Sequence, residues 1–427
     1  MKKLLTAIIA LAFAVSATAA DWYVSASVVN KKNSGQSKDA PLKAIWIALE
    51  RAAAGDVIHV AQGNYRGKTS CGWILIDKPV TIIGGYSDDF STRDITKYPT
   101  KLMPTNEMNQ TKPAQDLGTV GFKMYKTAND ASMLINATTV IDGLYIDQGN
   151  ANSYHATKAK PEGVETGMFI APPGQGNSKY PSIDSAELKG VSVGNLTIQN
   201  CVFLNASNYG IQLNHFQGNI RILNNVFINN RIQACEVCST NAKPGMVNFE
   251  FAYNTVIFNW SRTDEMIDMG LAIRANENTN TNIHHNILGP SIMYGFDNTK
   301  GNDKTKKVSI DNNIFCLNRK GDVAITISPN INSFSVTDEA WDDFEYCTGI
   351  ESVEGNQSNS DPATLFKDII DKAYLEGFLK ATYSEKADEF DNIPIEKKVS
   401  MFANRYPSEN VLKFFGAVQG VGAQAVK

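Results

Sequence analysis

Past Val15 the chain has no apolar run as long as the roughly 20 residues a helix needs to cross a bilayer, so no membrane span is expected. It also lacks a basic excess: 40 Lys and Arg stand against 44 Asp and Glu, a formal charge of −4. A mildly acidic surface is unsuited to a phosphate backbone, which argues against nucleic acid as a partner. Cysteine is sparse, six in 427 residues, and only Cys235 and Cys238 form a C-x-x-C. No second C-x-x-C and no nearby His pair completes that motif, so no zinc site, redox couple or other resident metal is expected there. With 43% hydrophobic and 20% charged residues, the composition is that of a chain with a large core rather than a disordered one.

At the start stand Lys2 and Lys3, an apolar run from Leu4 to Val15, then Ala17, Thr18, Ala19 and Ala20. That order of charge, greasy stretch and small residues is a secretory signal peptide. The expectation is removal of residues 1–20, a mature chain from Asp21, and export to the cell surface or medium, with the periplasm as the other destination. Losing two lysines takes the charge from −4 to −6. Six cysteines in an exported chain can all pair. Cys316 with Cys347, which flank one repeat, is the first disulfide expected; Cys235 and Cys238 are either a local bridge or two packed thiols.

Internal repeats set the architecture. Leu196 to Phe203 (LTIQNCVF), Ile220 to Phe227 (IRILNNVF), Phe249 to Val256 (FEFAYNTV), Thr281 to Leu288 (TNIHHNIL) and Val308 to Phe315 (VSIDNNIF) align as a short strand, a polar pair and a second apolar strand. Asn225, Asn254, Asn286 and Asn313 share one register, with Cys201 in that place in the first repeat; the spacings are 24, 29, 32 and 27 residues. Such intervals fit one coil of a solenoid whose loops vary in length. Coils stack about 4.8 Å apart, so a residue recurring at one turn meets its own kind above and below. Asn tolerates a left-handed backbone and can hydrogen-bond its neighbour's amide, so an interior Asn ladder satisfies buried polar groups at a sharp turn.

A third strand follows each pair: Tyr209 to Asn214, Ile232 to Val237, Gly270 to Ala275, Met293 to Asn298 and Val323 to Ser328. Three strands per coil define an all-β fold, a right-handed parallel β-helix. Weaker coils precede, at Val57 to Val60, Val80 to Gly85, Val140 to Ile146 and Gly167 to Ala171. The β-helix is therefore expected over 57–350, behind an N-terminal strand and capping helix in 21–56, with a mixed C-terminal segment, 351–427, packing on it. Open ends of a stack need covers. Pro41 to Ala54 reads as an amphipathic helix plugging the first coil, Pro362 to Ala381 as a helix on the far end or flank, and Val411 to Val421 as a returning strand.

The run from Asp39 to Tyr65 (DAPLKAIWIALERAAAGDVIHVAQGNY) and then Val80 to Asp94 (VTIIGGYSDDFSTRD), with the Asn-bearing coils, resembles secreted bacterial right-handed β-helix proteins of the pectin-lyase-like superfamily over about residues 39 to 350. The superfamily includes polysaccharide lyases, glycoside hydrolases, epimerases, tailspikes and proteins with no known reaction, so the resemblance specifies fold more than activity. The G-H-G, N-T-D and R-I-K motifs of its polygalacturonase-like hydrolases are missing here, as are D-P-H-D of the mannuronan epimerases and W-I-D-H and R-x-P-x-x-R of the commonest pectate lyases. The resemblance implies an acidic polysaccharide as partner, bound and, in a divergent lyase, cleaved by β-elimination. The rival is a non-catalytic surface or matrix protein whose rigid rod is the function.

In that superfamily the groove runs along the strand after the Asn turn and its partner strand. Aligning the third strands puts Asn214, Glu236, Arg274 and Asp297 in one outward column. An uronate lyase neutralises the sugar carboxylate, removes the C5 proton and protonates the leaving oxygen. Arg274, or a lysine from a flanking loop, is then the candidate base, and Glu236 and Asp297 hold substrate or Ca²⁺, the cofactor such acids would take. Asn214, His215 and Tyr294 are the candidate sugar contacts. Without a ligand the same column is a surface salt ladder.

Other residues carry weaker signals. His284 lies one coil from Asp311, beside His285, a pair that does acid–base work or simply hydrogen-bonds. Asp338, Glu339, Asp342, Asp343 and Glu345 lack EF-hand spacing and read as a solvated face, and Asp88, Asp89 and Asp94 as a turn. Insertions at Gln148 to Thr166, Pro172 to Leu188 and Ser239 to Asn248 are where binding loops are expected, and Tyr154 and Trp260 are aromatic candidates for a sugar ring or, for Trp260, the core.

Overall fold

The computed structural model describes residues 19–67, 73–103, 121–124, 137–149, 168–171, 192–206, 209–214, 216–238, 247–260, 270–275, 279–298, 307–327, 330–336, 349–383 and 405–426. The residues before Ala19, where a signal peptide is expected, the acidic cluster 338–345, His215, Tyr154 and Cys347 lie outside them.

The described strands form three long sheets, parallel throughout except for one terminal hairpin. The first sheet has ten strands, from Asp21–Val24 through Ser192–Gln199, Phe216–Leu223, Val247–Ala252, Thr279–His284 and Val308–Asp311 to Ile350–Ser352. The second has eight short strands, from Gly63–Tyr65 to Ile314–Phe315, and the third has nine, ending in Gly321–Ile327 and its antiparallel partner Asn330–Phe334. The chain visits the sheets in turn, one strand of each per coil, which is the right-handed parallel β-helix that the repeats predict.

Alternation explains the core. In the first sheet Leu196, Ile220, Phe249, Thr281 and Val308 are in register, as are Ile198, Ile222, Phe251, Ile283 and Ile310, and nearly all are fully buried. Rings stack from coil to coil, with Phe203 and Phe227 centroids 4.9 Å apart. Each such side chain contributes roughly 1.5–3 kcal/mol by leaving water.

The interior ladder forms as the spacing predicts. Asn254 Oδ1 accepts from the Asn225 backbone N–H (2.8 Å) and Nδ2 (3.0 Å), and Asn254 Nδ2 donates to Ile222 O at 2.8 Å. Asn286 and Asn313 repeat the pattern, Cys201 N–H closes one end on Asn225 Oδ1 at 2.9 Å, and Asn356 extends the other. The left-handed residue is not the ladder residue but the one before it: Asn200, Asn224, Tyr253, His285 and Asn312 have φ of 55° to 56°.

Several expectations need correction. The N-terminal helix is shorter than predicted, Ile45–Arg51, although it does cover the first coils with Ile45, Ala48 and Leu49 buried. Instead of one C-terminal helix there are two, Pro362–Phe366 and Lys372–Tyr383, because Lys367 turns to φ 40° and Asp371 caps the second by accepting from Tyr374 N–H. Val411 to Val421 is not a strand: it begins as the 3₁₀ turn Val411–Phe414 and continues through Gly416 and Gly420, both left-handed. No disulfide forms among the described residues. Cys201, Cys235 and Cys316 are buried thiols, their pKa values raised by burial, to about 12 for Cys201. Cys235 is a free thiol packed in the core, so the expected local bridge to Cys238 does not form.

The C-terminal segment covers the outside of the second sheet. Phe366, Ile370, Phe378, Tyr406, Val411 and Phe414 form a second apolar cluster with Val202, Ile228, Phe258 and the buried Trp260. Polar contacts fix its place: Tyr406 N–H donates to Asn205 Oδ1 at 2.8 Å, Arg405 pairs with the buried Asp147 at 2.7 Å, and Asn224 Nδ2 donates to Gln424 O at 3.1 Å.

Candidate functional site

On the third sheet, Gln212, Glu236, Arg274 and Asp297 are in register on successive coils. Asn214, expected in that column, pairs instead with Cys238, two residues along, and Gln212 takes its place, its Nε2 donating to Glu236 Oε1 at 3.1 Å. Tyr294 is half-buried and pairs with Gly321, so it does not stand level with Asp297. Arg274 Nε donates to Asp297 Oδ2 at 2.8 Å and its terminal nitrogen joins the same oxygen. The two side chains are only 6% and 2% exposed, and Glu236, Gln233, Leu271 and Ala324 beside them are buried too. The structure therefore brings Glu236, Arg274 and Asp297 together, but as a packed cluster of charge. Arg274 and Asp297 are thus bonded to each other and largely enclosed.

The outer face of the first sheet is different. Asn195, Asn219, Asn248 and Asn280 form a surface amide ladder, with Nδ2 to Oδ1 distances of 2.7, 2.9 and 3.0 Å. An amide carries two N–H donors and two lone pairs, so the exposed Asn219 and Asn248 keep hydrogen-bonding capacity toward solvent. Beside the ladder, Arg221 Nε donates to Glu250 Oε2 at 2.7 Å, and His284 Nε2 lies 3.4 Å from Glu250 Oε1. The hydrogen bond from His284, with that of Arg221, holds the Glu250 carboxyl down at about 2. His284 is in register with Asp311, as the repeats predict, yet Asp311 accepts from Ser352 Oγ and Glu354 N–H instead. At the corner the His285 ring stacks on Tyr253, centroids 4.9 Å apart, and burial followed by the neighbouring His284 lowers the His285 pKa. Two ring-bearing residues held at positive φ, where other coils use Asn, are unusual backbone states that often mark function.

Further along the same face, His59 bridges Asp21 Oδ1 (2.8 Å) and Tyr86 OH (3.0 Å), under a stacked Tyr23 ring. Burial raises the Tyr86 pKa, so its hydroxyl stays protonated at neutral pH. The outward position of His59 in the alternating VIHVA strand is the sequence signal that reveals this group. Among the described residues no set of three His, Cys, Asp or Glu side chains converges as metal ligands.

Comparison with known proteins follows this geometry. A family described as "Protein of unknown function (DUF1565)" matches residues 28–170. No curated protein matches the chain. Among solved structures, the chain is similar to pectate lyase Pel9A at 10% identity and a TM-score of 0.34, over 96% of this chain and 97% of that one. It is also similar to a rhamnogalacturonan lyase (12%, TM-score 0.32, 84% and 92% covered) and to a GH136 lacto-N-biosidase from Eubacterium ramulus (10%, TM-score 0.30, 80% and 68% covered). At these identities and scores no activity transfers, and the chemistry has to come from this chain's own residues.

Proposed function

We propose that the chain is an exported, non-catalytic rod that binds a polysaccharide along the outer face of its first sheet. One observation carries the reading: the second sheet is covered by the C-terminal segment and the third sheet's polar column is buried, while on the first sheet's outer face Asn219 and Asn248 are exposed within an amide ladder. Sugar hydroxyls both donate and accept, as amides do, and a ladder repeating every 4.8 Å or so offers the same group to successive units of an extended polymer. Tyr253 and His285 supply a ring shelf at the edge, suited to the apolar face of a sugar. The elimination reading rests on Arg274, Glu236 and Asp297, whose burial favours a structural role.

Affinity electrophoresis of the mature chain against neutral and acidic polysaccharides tests this. At least one polymer retards it, and Asn219→Ala with Asn248→Ala weakens that retardation severalfold without changing the thermal midpoint. In parallel, pectate, alginate and glycosaminoglycans incubated with and without Ca²⁺ develop no unsaturated-uronate absorbance. A rise that Arg274→Ala abolishes establishes a lyase and overturns the proposal.

A further inference from the structure

A cavity of about 440 Å³ opens at the N-terminal end of the rod, between the loop around Lys31, the helix that covers the first coils, and the segment Asn64 to Gly67. Its charged lining residues are Lys31, Lys43, Arg51 and Arg66, all cations, and among the described residues no carboxylate lines it. That concentration stands out in a chain where acids outnumber bases, 44 to 40. The walls between the charges are apolar, formed by Leu42, Trp46, Ile47 and Tyr65.

The cavity is braced. Arg51 donates to Asn33 O (3.2 Å) and Ser34 O (3.0 Å), which ties the loop to the helix. Tyr65 OH accepts from Ala26 N–H at 3.0 Å and donates to Ala61 O at 2.9 Å, which fixes the floor. Lys31, Lys43 and Arg66 line the cavity, are exposed and form no ion pair with a described residue. The volume lies in the range of small-ligand sites, and mutual repulsion among uncompensated cations is relieved by an anion.

We propose that this cavity binds an anionic saccharide residue, a sugar bearing carboxylate or sulfate, at the end of the rod. The cations meet the acidic group, Arg66 through a planar fork suited to two oxygens, and the Trp46 ring offers a surface to the apolar face of the sugar. The choice of a sugar among anions rests on the polysaccharide reading of the first sheet; the choice of an anion rests on the cavity alone. The site is separate from the amide ladder and adds selection by charge to a face that reads hydroxyls.

Titration calorimetry of the mature chain with methyl glucuronide, glucose 6-sulfate, methyl glucoside and inorganic sulfate tests this. The proposal expects one of the two acidic sugars to bind at least tenfold tighter than the neutral glucoside. It also expects Lys43→Gln with Arg66→Gln to lose about tenfold in that affinity for each charge removed, at an unchanged thermal midpoint. Asn219→Ala with Asn248→Ala leaves this affinity intact, which separates failure of the pocket from failure of the ladder. Equal affinity for acidic and neutral sugars, or indifference to the charge-removing substitutions, overturns the proposal. Binding of inorganic sulfate with neither acidic sugar overturns the saccharide assignment.

Discussion

The outer faces of the first and third sheets are built by one rule, a polar side chain per coil at matching register, and they differ in what covers them. On the first, Asn195, Asn219, Asn248 and Asn280 run in the open beside Arg221 and Glu250; on the third, Glu236, Arg274 and Asp297 are shut away. Register decides which side chains become neighbours, and access to water decides what they do. Enclosed charges must satisfy one another, and so become part of the scaffold. Exposed amides satisfy each other only in part, and so remain available to a ligand.

The largest test of that difference is Arg274→Ala, which removes the guanidinium bonded to Asp297 and is expected to cost about 3–5 kcal/mol, read from urea midpoints at constant slope. Arg274→Met combined with Asp297→Leu restores most of that loss. If Arg274→Ala is nearly silent in stability, the third face is not the closed structural cluster described above. A smaller, sharper contrast lies within one coil. Asn254, in the interior ladder, bonds Asn225, Ile222 O and Asn286, whereas Asn248 sits on the surface ladder. Asn254→Ala should cost about 2–3 kcal/mol and Asn248→Ala no more than about 0.5. The smallest effect concerns pH. Glu250 falls from an ordinary 4.5 to about 2 on folding, so its stabilisation is complete above 4.5 and lost as pH drops toward 2. The stability gap between the native chain and Glu250→Gln should close over that interval; a constant gap means that the Arg221 and His284 contacts do not act through charge.

The coil register was largely legible because alternation with period two and the recurring Asn both survive loops of different length. That same period hid the error at Asn214: sliding YGIQLN by two residues leaves every side chain on its face, so pattern alone does not separate Asn214 from Gln212. His284 choosing Glu250 over Asp311 was hidden for another reason. Glu250 lies opposite Asn282, diagonal to His284, and its longer side chain crosses that diagonal, while Asp311 is engaged by Ser352. The burial of Arg274 could not be read at all, since it depends on what packs over the sheet rather than on the strand's own residues. The Asp21, His59 and Tyr86 group joins three strands far apart in sequence, with only the outward place of His59 to announce it.

The strap over the second sheet also imposes an order in time. Tyr406 reaches back 201 residues to Asn205, Gln424 200 residues to Asn224, and Ala423 168 residues to Thr255. Coils can wind as they are made, each resting on the one before, but those middle coils keep an apolar flank bare until this much later stretch of chain arrives. A newly made rod is thus complete in its winding before it is sealed, and in that interval its greasiest side is open to any passing chaperone or neighbouring copy.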